Sequence, residues 1–290
     1  MDDIYHIDKT RVRASFDRAA ATYDDAAVLQ AEVRQRMFQR LDLVRIAPQW
    51  VLDAGCGTGH ACPALNRRFP GSHIVALDIA LGMLSRARRR QGLVQRVLSG
   101  RQAGVCADIE RLPFADRSLD LIWSNLAIQW CNDLDAAFGE AQRVLKAEGL
   151  LMFSTFGPDT LRELRQAAAA DPGHVHVSRF IDMHDIGDAL VRAGFSAPVL
   201  DVERFVLTYD DVMGVMRDLK AIGAHNAADG RARGLMGKGF LNRLTENYER
   251  FRADGKLPAT FEVVYGHAWK PEAKPQFAEG VSPVTFKPRS

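Results

Sequence analysis

The chain has 290 residues, 47% of them hydrophobic and 26% charged, which is enough apolar sequence for a full buried core. Its formal net charge is only +2, so the charge of the whole molecule gives no reason to expect nucleic acid or another polyanionic partner. It contains no run of about 18 apolar residues, no signal-peptide core and no C-x-x-C pair, so we expect a cytoplasmic protein without membrane association or a metal site.

Short apolar runs alternate with helical patterns between Trp50 and Phe156. Five strands are predicted from the runs WVLDAG, HIVALDIA, AGVCADIE, LDLIWSN and GLLMFSTF. Helices are predicted from ACPALNRRF, LGMLSRARRR and LDAAFGEAQRVLK. This alternation predicts a doubly wound, mostly parallel α/β sheet with helices on both faces, whose ligand crevice lies beyond the carboxyl ends of the strands.

After Phe156 the sequence becomes richer in helix, and APVLDVERFVLTY and TFEVVYGHAW predict two further strands. We therefore expect residues 1–48 to form an amino-terminal helical lid segment and 49–208 the α/β core. Residues 209–258 are expected to form a helical insertion over the substrate site, 259–270 the last strand of the core, and 271–290 a tail.

The stretch VLDAGCGTGH joins a strand to three glycines at alternate positions. A dinucleotide fingerprint requires a glycine at position 60, where this chain has His60. In the observed pattern of Asp53, Gly55, Gly57 and Gly59, the glycines let the backbone pass close beneath a ligand that carries no phosphate. The acid, Asp53, accepts a hydrogen bond from a cationic amine. S-adenosylmethionine carries such an amine at its methionine end.

Two more acids end the next two predicted strands. Asp78 is placed to bind both ribose hydroxyls of a nucleoside, and Asp108 to accept the adenine amino group, with Ile79, Met83 and Ile109 around the ring. Each residue also has a plainer explanation, such as a helix cap for Asp78 or core packing for Met83. Three acids ending three successive strands together favour an S-adenosylmethionine site over one for NAD.

Four of these motifs, VLDAGCGTG, ALDIALGML, ADIERLPF and LDLIWSNLAIQW, resemble those of class I S-adenosylmethionine-dependent methyltransferases. Further stretches resemble malonyl-acyl carrier protein O-methyltransferases of biotin synthesis over nearly the whole chain: FDRAAATYDDAAVLQ, SNLAIQWCNDL, FSTFGPDTLRELR, RFIDMHDIGDAL, MRDLKAIGAHN and VVYGHAW. The resemblance implies a seven-stranded, Rossmann-like sheet and methyl transfer to the free carboxylate of a malonyl thioester. Ile79 departs from the family, which often has leucine followed by serine there, so no hydroxyl contact is assigned.

A carboxylate is already ionised at pH 7, so its attack on a sulfonium methyl needs no general base. Catalysis then consists of alignment and removal of water, for which a neutral hydrogen-bond donor is suitable. Tyr23, ahead of the first strand, is the candidate catalytic and substrate-binding donor. The alternative is an amphipathic helix in which Phe16 and Tyr23, seven residues apart, share an apolar face.

Asn125, Gln129 and Trp130 follow the fourth predicted strand at the crevice. Asn125 is a candidate for the cofactor, and Gln129 and Trp130 for the substrate, although Trp130 could equally be a core aromatic. In the helical insertion, Arg217 and Lys220 lie three residues apart on one helix side and could hold the malonyl group. The alternative is that Arg217 and Lys220 are ordinary solvent-exposed cations whose aliphatic stems lie over apolar surface. Arg179 is a weaker candidate for the same role.

An acyl carrier protein presents an acidic helix, so the resemblance implies a basic docking face. One candidate cluster has six arginines and no acid: Arg86, Arg88, Arg89, Arg90, Arg96 and Arg101. The other runs from Arg217 to Lys256, includes Arg231 and Arg233, and has nine basic and five acidic residues. Ordinary solvated surface is the alternative for both.

Two other function classes stay open on the sequence alone. One is a methyltransferase for another small acid or a quinone. The other is a protein that keeps the cofactor fold without transferring a methyl group, such as an assembly factor or a hydroxylase-like relative.

Overall fold

Seven strands form a single sheet in the computed structural model, which describes residues 6–90, 102–169, 180–222 and 238–272. In chain order they are β1 Trp50–Ala54, β2 His73–Asp78, β3 Gln102–Cys106, β4 Leu119–Asn125, β5 Leu145–Phe156, β6 Ser196–Tyr209 and β7 Leu257–Trp269. Their order across the sheet is β3-β2-β1-β4-β5-β7-β6. Strands β1 to β5 are parallel, and β7 runs antiparallel to both β5 and β6. The predicted seven-stranded, mostly parallel sheet is confirmed.

Three helices precede the sheet: α1 Lys9–Ala19, α2 Tyr23–Ala26 and α3 Val28–Leu41. Those that follow are α4 Ala61–Arg68, α5 Leu81–Arg90, α6 Leu134–Val144, α7 Arg162–Ala168, α8 Met183–Arg192, α9 Val212–Ala221 and α10 Lys238–Glu249. Side-chain caps fix several of their starts, as where Asp8 accepts from the amides of Thr10 and Arg11 at the beginning of α1. Across the described ranges, no helix has the length and apolar character needed to cross a bilayer.

The central strands are apolar along their whole length because both faces of the sheet are covered. Successive side chains of β1 enter opposite cores, with Val51 on one face and Leu52 on the other. Helices α3, α4, α7 and α10 cover the first face, and α6 and α8 cover the second. This two-sided cover holds the strand ends, and the loops that follow them, in fixed positions.

The chain reverses its direction of travel across the sheet at β1, which lies between β2 and β4. Loops after neighbouring strands diverge at such a point, leaving a crevice beyond their carboxyl ends. Helices α1 to α3 fold over this crevice. Helix α1 is fixed against α5, since the Gly82 amide donates to Asp17 Oδ1 at 2.7 Å.

Candidate functional site

A cavity of about 640 Å³, called here the first cavity, lies in the crevice beyond β1, β2 and β4. Its lining combines apolar side chains with a few polar groups, as the linings of small-molecule sites do. Ten residues singled out in the sequence line it: Tyr23, Gly55, Gly57, Asp78, Ile79, Met83, Asp108, Ile109, Asn125 and Trp130. The structure thus gathers residues from five separate segments around one space.

The three glycines after β1 have different neighbours. The amides of Gly55 and Cys56 both donate to the carbonyl of Leu77 in β2, at 2.8 and 2.9 Å. A Cβ on Gly55 would lie 2.2 Å from the Cβ of Ala127, so only glycine allows this close crossing. A Cβ on Gly59 would lie 2.6 Å from that of Ala87, which makes Gly59 a packing position for α5. Gly57 alone faces open space.

Asp78 ends β2 with only 7% of its surface exposed. Its Oδ1 accepts from the Ala80 amide at 2.8 Å and its Oδ2 from the Gly57 amide at 2.9 Å. Burial raises the pKa of Asp78 to about 6, and these two backbone donors oppose the rise. The group therefore stays largely ionised at pH 7, and each oxygen can accept a further donor. A carboxylate in this position fits two vicinal hydroxyls.

Asp108 lies two residues beyond the end of β3 rather than inside the longer strand that the sequence predicted. Its Oδ1 accepts from Lys9 Nζ at 3.0 Å, and Lys9 also pairs with Glu110 at 2.5 Å. Lys9 lines the first cavity from α1, and sequence reasoning missed it because the contact spans 99 residues. The apolar lining of the same cavity includes Met83, which is 1% exposed.

A second cavity, of about 630 Å³, adjoins the first. The two share a wall formed by Tyr23, Gly55, Gly57 and Asn125. Tyr23 begins α2, and burial together with the negative charges of Asp78 and Asp24 raises the pKa of its phenol. The hydroxyl is therefore protonated at neutral pH and can act as a neutral donor.

Asp53 lines the second cavity and is 2% exposed. Burial raises the pKa of Asp53 to about 7, with Asp78 adding to the rise, while a hydrogen bond from Cys62 Sγ at 3.3 Å opposes it. A buried carboxylate of this kind requires either a proton or a cation. Its surroundings fit the cationic amine that the sequence predicted.

Side chains fasten helix α2 to the glycine loop and to α5. Asp24 accepts from Thr58 Oγ1 at 2.5 Å, lies 3.2 Å from His60 Nε2 and pairs with Arg90. Arg86 Nη2 also donates to the carbonyl of Ala21 at 3.3 Å. Two arginines of the predicted basic cluster therefore hold the segment that carries Tyr23, a function that their sequence spacing did not indicate.

Asn125 ends β4 and Gln129 and Trp130 follow it, and the three residues differ in their placement. Asn125 lines both cavities, donates from Nδ2 to the carbonyl of Gln30 at 3.2 Å and accepts from Ser154 Oγ at 3.1 Å. Trp130 lines the first cavity and meets Phe16 edge-on, with ring centroids 5.4 Å apart. Gln129 lines neither cavity, and its Nε2 donates to the carbonyl of Leu126 at 2.7 Å.

The cationic substrate candidates either line neither cavity or fall outside the described ranges. Arg217 and Lys220 are exposed on α9 and line neither cavity. Arg217 Nε donates to the carbonyl of Met213 at 3.2 Å. The remaining predicted positions fall where the structure describes nothing: Arg96, Arg101, Arg179, Arg231 and Arg233.

The residues around the two cavities fit S-adenosylmethionine. Asp78 supplies a buried acceptor for a diol, Met83 and Ile109 supply apolar surface for a ring, and Asp53 supplies an acid for an ammonium group. Gly57 keeps the loop between these groups free of a side chain, with nothing closer to its Cβ position than Tyr23 Cε1 at 4.0 Å.

Comparison with known proteins agrees with this chemistry. The sequence profile of the methyltransferase-domain family matches residues 52–153. A Methylovorus sp. (strain MP688) protein named malonyl-[acyl-carrier protein] O-methyltransferase is 70% identical over 289 residues, covering 99% of this chain and 98% of the relative. The protein of that name from Laribacter hongkongensis (strain HLHK9) is 57% identical over 295 residues, covering 100% and 99%. The crystal structure of YcgJ from Bacillus subtilis shares the fold, with TM-score 0.59, 16% identity, and coverage of 82% of this chain and 98% of that one.

Proposed function

Since the chain belongs to the malonyl-[acyl-carrier protein] O-methyltransferase family, we propose that it methylates the free carboxylate of a malonyl group carried on acyl carrier protein. S-adenosylmethionine is the methyl donor, and the methyl ester is an early intermediate of biotin synthesis. One observation carries the cofactor part of the proposal: Asp78 is buried, ionised and directed into a cavity with apolar walls.

Bound S-adenosylmethionine supplies a methyl group on a cationic sulfur, which an ionised carboxylate can attack directly. The protein has no proton to remove from a malonyl carboxylate at pH 7. Its task is to hold the reacting groups in line, and good alignment can lower the barrier by as much as ~7 to 11 kcal/mol. In this proposal Asp78, Asp53, Asp108 and Asn125 fix the donor, together with the apolar side chains of Ile79, Met83 and Ile109.

Tyr23 is the proposed catalytic hydrogen-bond donor. It lies on the wall between the two cavities, and its raised pKa keeps the hydroxyl protonated. A neutral donor can orient a carboxylate without binding it as tightly as a cation would, so the oxygen keeps its nucleophilicity. Trp130, in edge contact with Phe16, would exclude water from the same space.

The carrier protein is proposed to dock on a basic face near one of two helices. Helix α9 exposes Arg217 and Lys220, and α5 exposes Arg88 and Arg89 beside the arginines that hold α2. An acidic partner would be steered to either face in a salt-dependent way. Arg217→Glu with Lys220→Glu tests α9, and Arg89→Glu tests α5. The docking face is the one whose reversal raises KM for the carrier substrate without changing donor affinity.

A cytoplasmic location completes the proposal. It is supported by the four cysteines, all of which are free thiols.

Methylation of a purified carrier tests the proposed reaction. We expect malonyl-acyl carrier protein, incubated with the enzyme and S-adenosylmethionine, to gain one methyl group that mild base removes as methanol. Acetyl-acyl carrier protein is the matched control, since it lacks the free carboxylate and should gain nothing. Methylation of both carriers, or of neither, would contradict the proposal and direct the search to another small acid or a quinone.

A further inference from the structure

Strand β4 ends at a turn whose backbone is strained. Leu126, which follows Asn125, has a φ of 49°, in the left-handed region that leucine rarely adopts. Its amide donates to two oxygens of one residue in β5, the carbonyl of Ser154 at 3.1 Å and the Oγ of Ser154 at 3.0 Å. Strain of this kind persists only where neighbouring contacts hold it, and Ser154, which is fully buried, supplies such contacts.

The hydroxyl of Ser154 also determines which way the Asn125 carboxamide points. Because Ser154 Oγ accepts from the Leu126 amide, its single proton is available to donate, and it donates to Asn125 Oδ1 at 3.1 Å. At the other end of the carboxamide, Asn125 Nδ2 donates to the carbonyl of Gln30 at 3.2 Å. A backbone amide can only donate and a backbone carbonyl can only accept, so this chain of hydrogen bonds has one direction.

This arrangement leaves one N–H of Asn125 for a ligand. Asn125 Nδ2 carries two hydrogens, and among the residues that the structure describes only the Gln30 carbonyl accepts from it. Asn125 lies on the wall between the two cavities with Tyr23, whose raised pKa keeps its hydroxyl protonated. The wall therefore carries two neutral donors. Such a pair can orient the two oxygens of a carboxylate without the tight ion pair that would lower its nucleophilicity.

We propose that Asn125 is a second hydrogen-bond donor to the substrate carboxylate, beside Tyr23, and that Ser154 is the positioning residue that keeps the N–H of Asn125 directed at it. The inference rests on the proposed function for the identity of the substrate, and it adds to the contact of Asn125 with the methyl donor. Without the Ser154 hydroxyl, the carboxamide can rotate and present Oδ1, which repels a carboxylate. The Leu126 amide would keep the Ser154 carbonyl as its acceptor, so the fold should survive.

Ser154→Ala tests the inference, with Ser124→Ala as the matched control. Ser124, in β4, is 1% exposed, and its hydroxyl donates to the carbonyl of Ala54 at 2.9 Å. We expect Ser154→Ala to slow single-turnover methylation of malonyl-acyl carrier protein roughly tenfold or more, because the reacting carboxylate loses its alignment. Affinity for S-adenosylhomocysteine should change less than about twofold in calorimetry, since the contacts of Asp78 are untouched. Ser124→Ala should keep the wild-type rate.

A double substitution separates positioning from packing. If Ser154 acts through Asn125, Ser154→Ala should slow the reaction no further in a protein that already carries Asn125→Ala. A full further loss in that background would overturn the inference. Ser154→Cys replaces the hydroxyl by a weak S–H donor of similar size, so it should give a smaller loss of the same kind. It takes the place of Ser154→Ala if that variant has a lowered Tm.

The remaining outcomes are also decisive. A wild-type rate in Ser154→Ala would remove Ser154 from the reaction. Loss of S-adenosylhomocysteine affinity in step with the rate would mean that Ser154 supports donor binding instead of substrate alignment, and equal slowing in Ser124→Ala would make the effect a general one of buried serine hydroxyls. Wild-type protein that leaves malonyl-acyl carrier protein unmethylated would overturn the proposed function and this inference together, whereas the other outcomes overturn the inference alone.

Discussion

The two walls of the first cavity are built in different ways. The sheet wall, formed by the loops after β1, β2 and β4, is fixed by buried backbone hydrogen bonds such as those from Gly55 and Cys56 to Leu77. The helical wall, formed by α1 and α2, contributes no residue to the two cores of the sheet, and side chains at partly exposed positions fasten it, including Asp24 with Arg90. Exposed ion pairs contribute only about 0.2 to 1 kcal/mol each. The sheet wall is therefore preformed, whereas the helical wall can separate from it at little cost.

This difference suits a site that must admit a nucleoside and then a substrate attached to a protein. Under the proposed function, the preformed wall would bind the donor without reorganisation, and the weakly fastened wall would open to admit the ligands and then cover them. Variants of the sheet wall should therefore change stability and donor affinity strongly. Variants of the helical wall should change turnover or local opening.

The largest effect is expected at Gly55. Gly55→Ala places a Cβ 2.2 Å from the Cβ of Ala127 at a φ of +75°, so it combines backbone strain with overpacking. We expect it to lower the free energy of unfolding by roughly 2 to 5 kcal/mol and to abolish donor binding. Gly57→Ala, at a φ of +54° with no comparable clash, should lose only about 1 to 2 kcal/mol. Equal losses in urea unfolding would show that crowding against Ala127 is unimportant.

Asp53 should make ligand-free stability depend on pH. Its pKa lies at about 7 in the folded protein against an ordinary value of 3.8, so the folded state holds more protons between these values. Protonated Asp53 therefore contributes its full stabilisation below about pH 4, and this contribution is lost as the pH rises to about 7. Asp53→Asn should be more stable than wild type by as much as about 4 kcal/mol at pH 8, with no difference near pH 4. Parallel stability curves across this range would contradict the raised pKa.

Asp78→Ala should weaken S-adenosylmethionine binding by roughly 1.5 to 3 kcal/mol, because it removes charged acceptors from a buried position. The backbone amides of Gly57 and Ala80 lose their partner in this variant, so its fold should be checked by circular dichroism. Calorimetry that shows wild-type affinity in a folded variant would exclude Asp78 from the site.

A substitution at the shared wall acts on turnover instead. Tyr23→Phe keeps the ring that lines both cavities and removes only the hydroxyl. We expect kcat to fall roughly ten- to a hundredfold while donor affinity changes little, since the hydroxyl acts mainly in the transition state. Single-turnover rates equal to those of wild type would make Tyr23 a packing residue.

The sequence predicted the sheet wall far better than the helical wall, for a physical reason. Strand, glycine loop and acid are local patterns, and a parallel sheet always gathers its carboxyl ends at one edge. The helical wall depends on pairs such as Lys9 with Asp108, which are 99 residues apart and have no local signature. Helical spacing showed that Arg217 and Lys220 share a side of α9, but it could not show that neither residue lines a cavity.

The smallest effect is expected where α2 is fastened. Asp24→Asn breaks the ion pair with Arg90, and because both side chains are more than 30% exposed, global stability should fall by less than about 1 kcal/mol. Local opening is a more sensitive measure, and amides of residues 20–26 should exchange faster with deuterium while those of β1 and β2 do not change.

Asp25→Asn, on the adjacent exposed residue, is the control for this exchange measurement. Salt should speed this exchange in wild type and have little further effect in Asp24→Asn, because it screens the same attraction. Identical exchange in both variants would mean that the ion pair between Asp24 and Arg90 does not hold α2 in place.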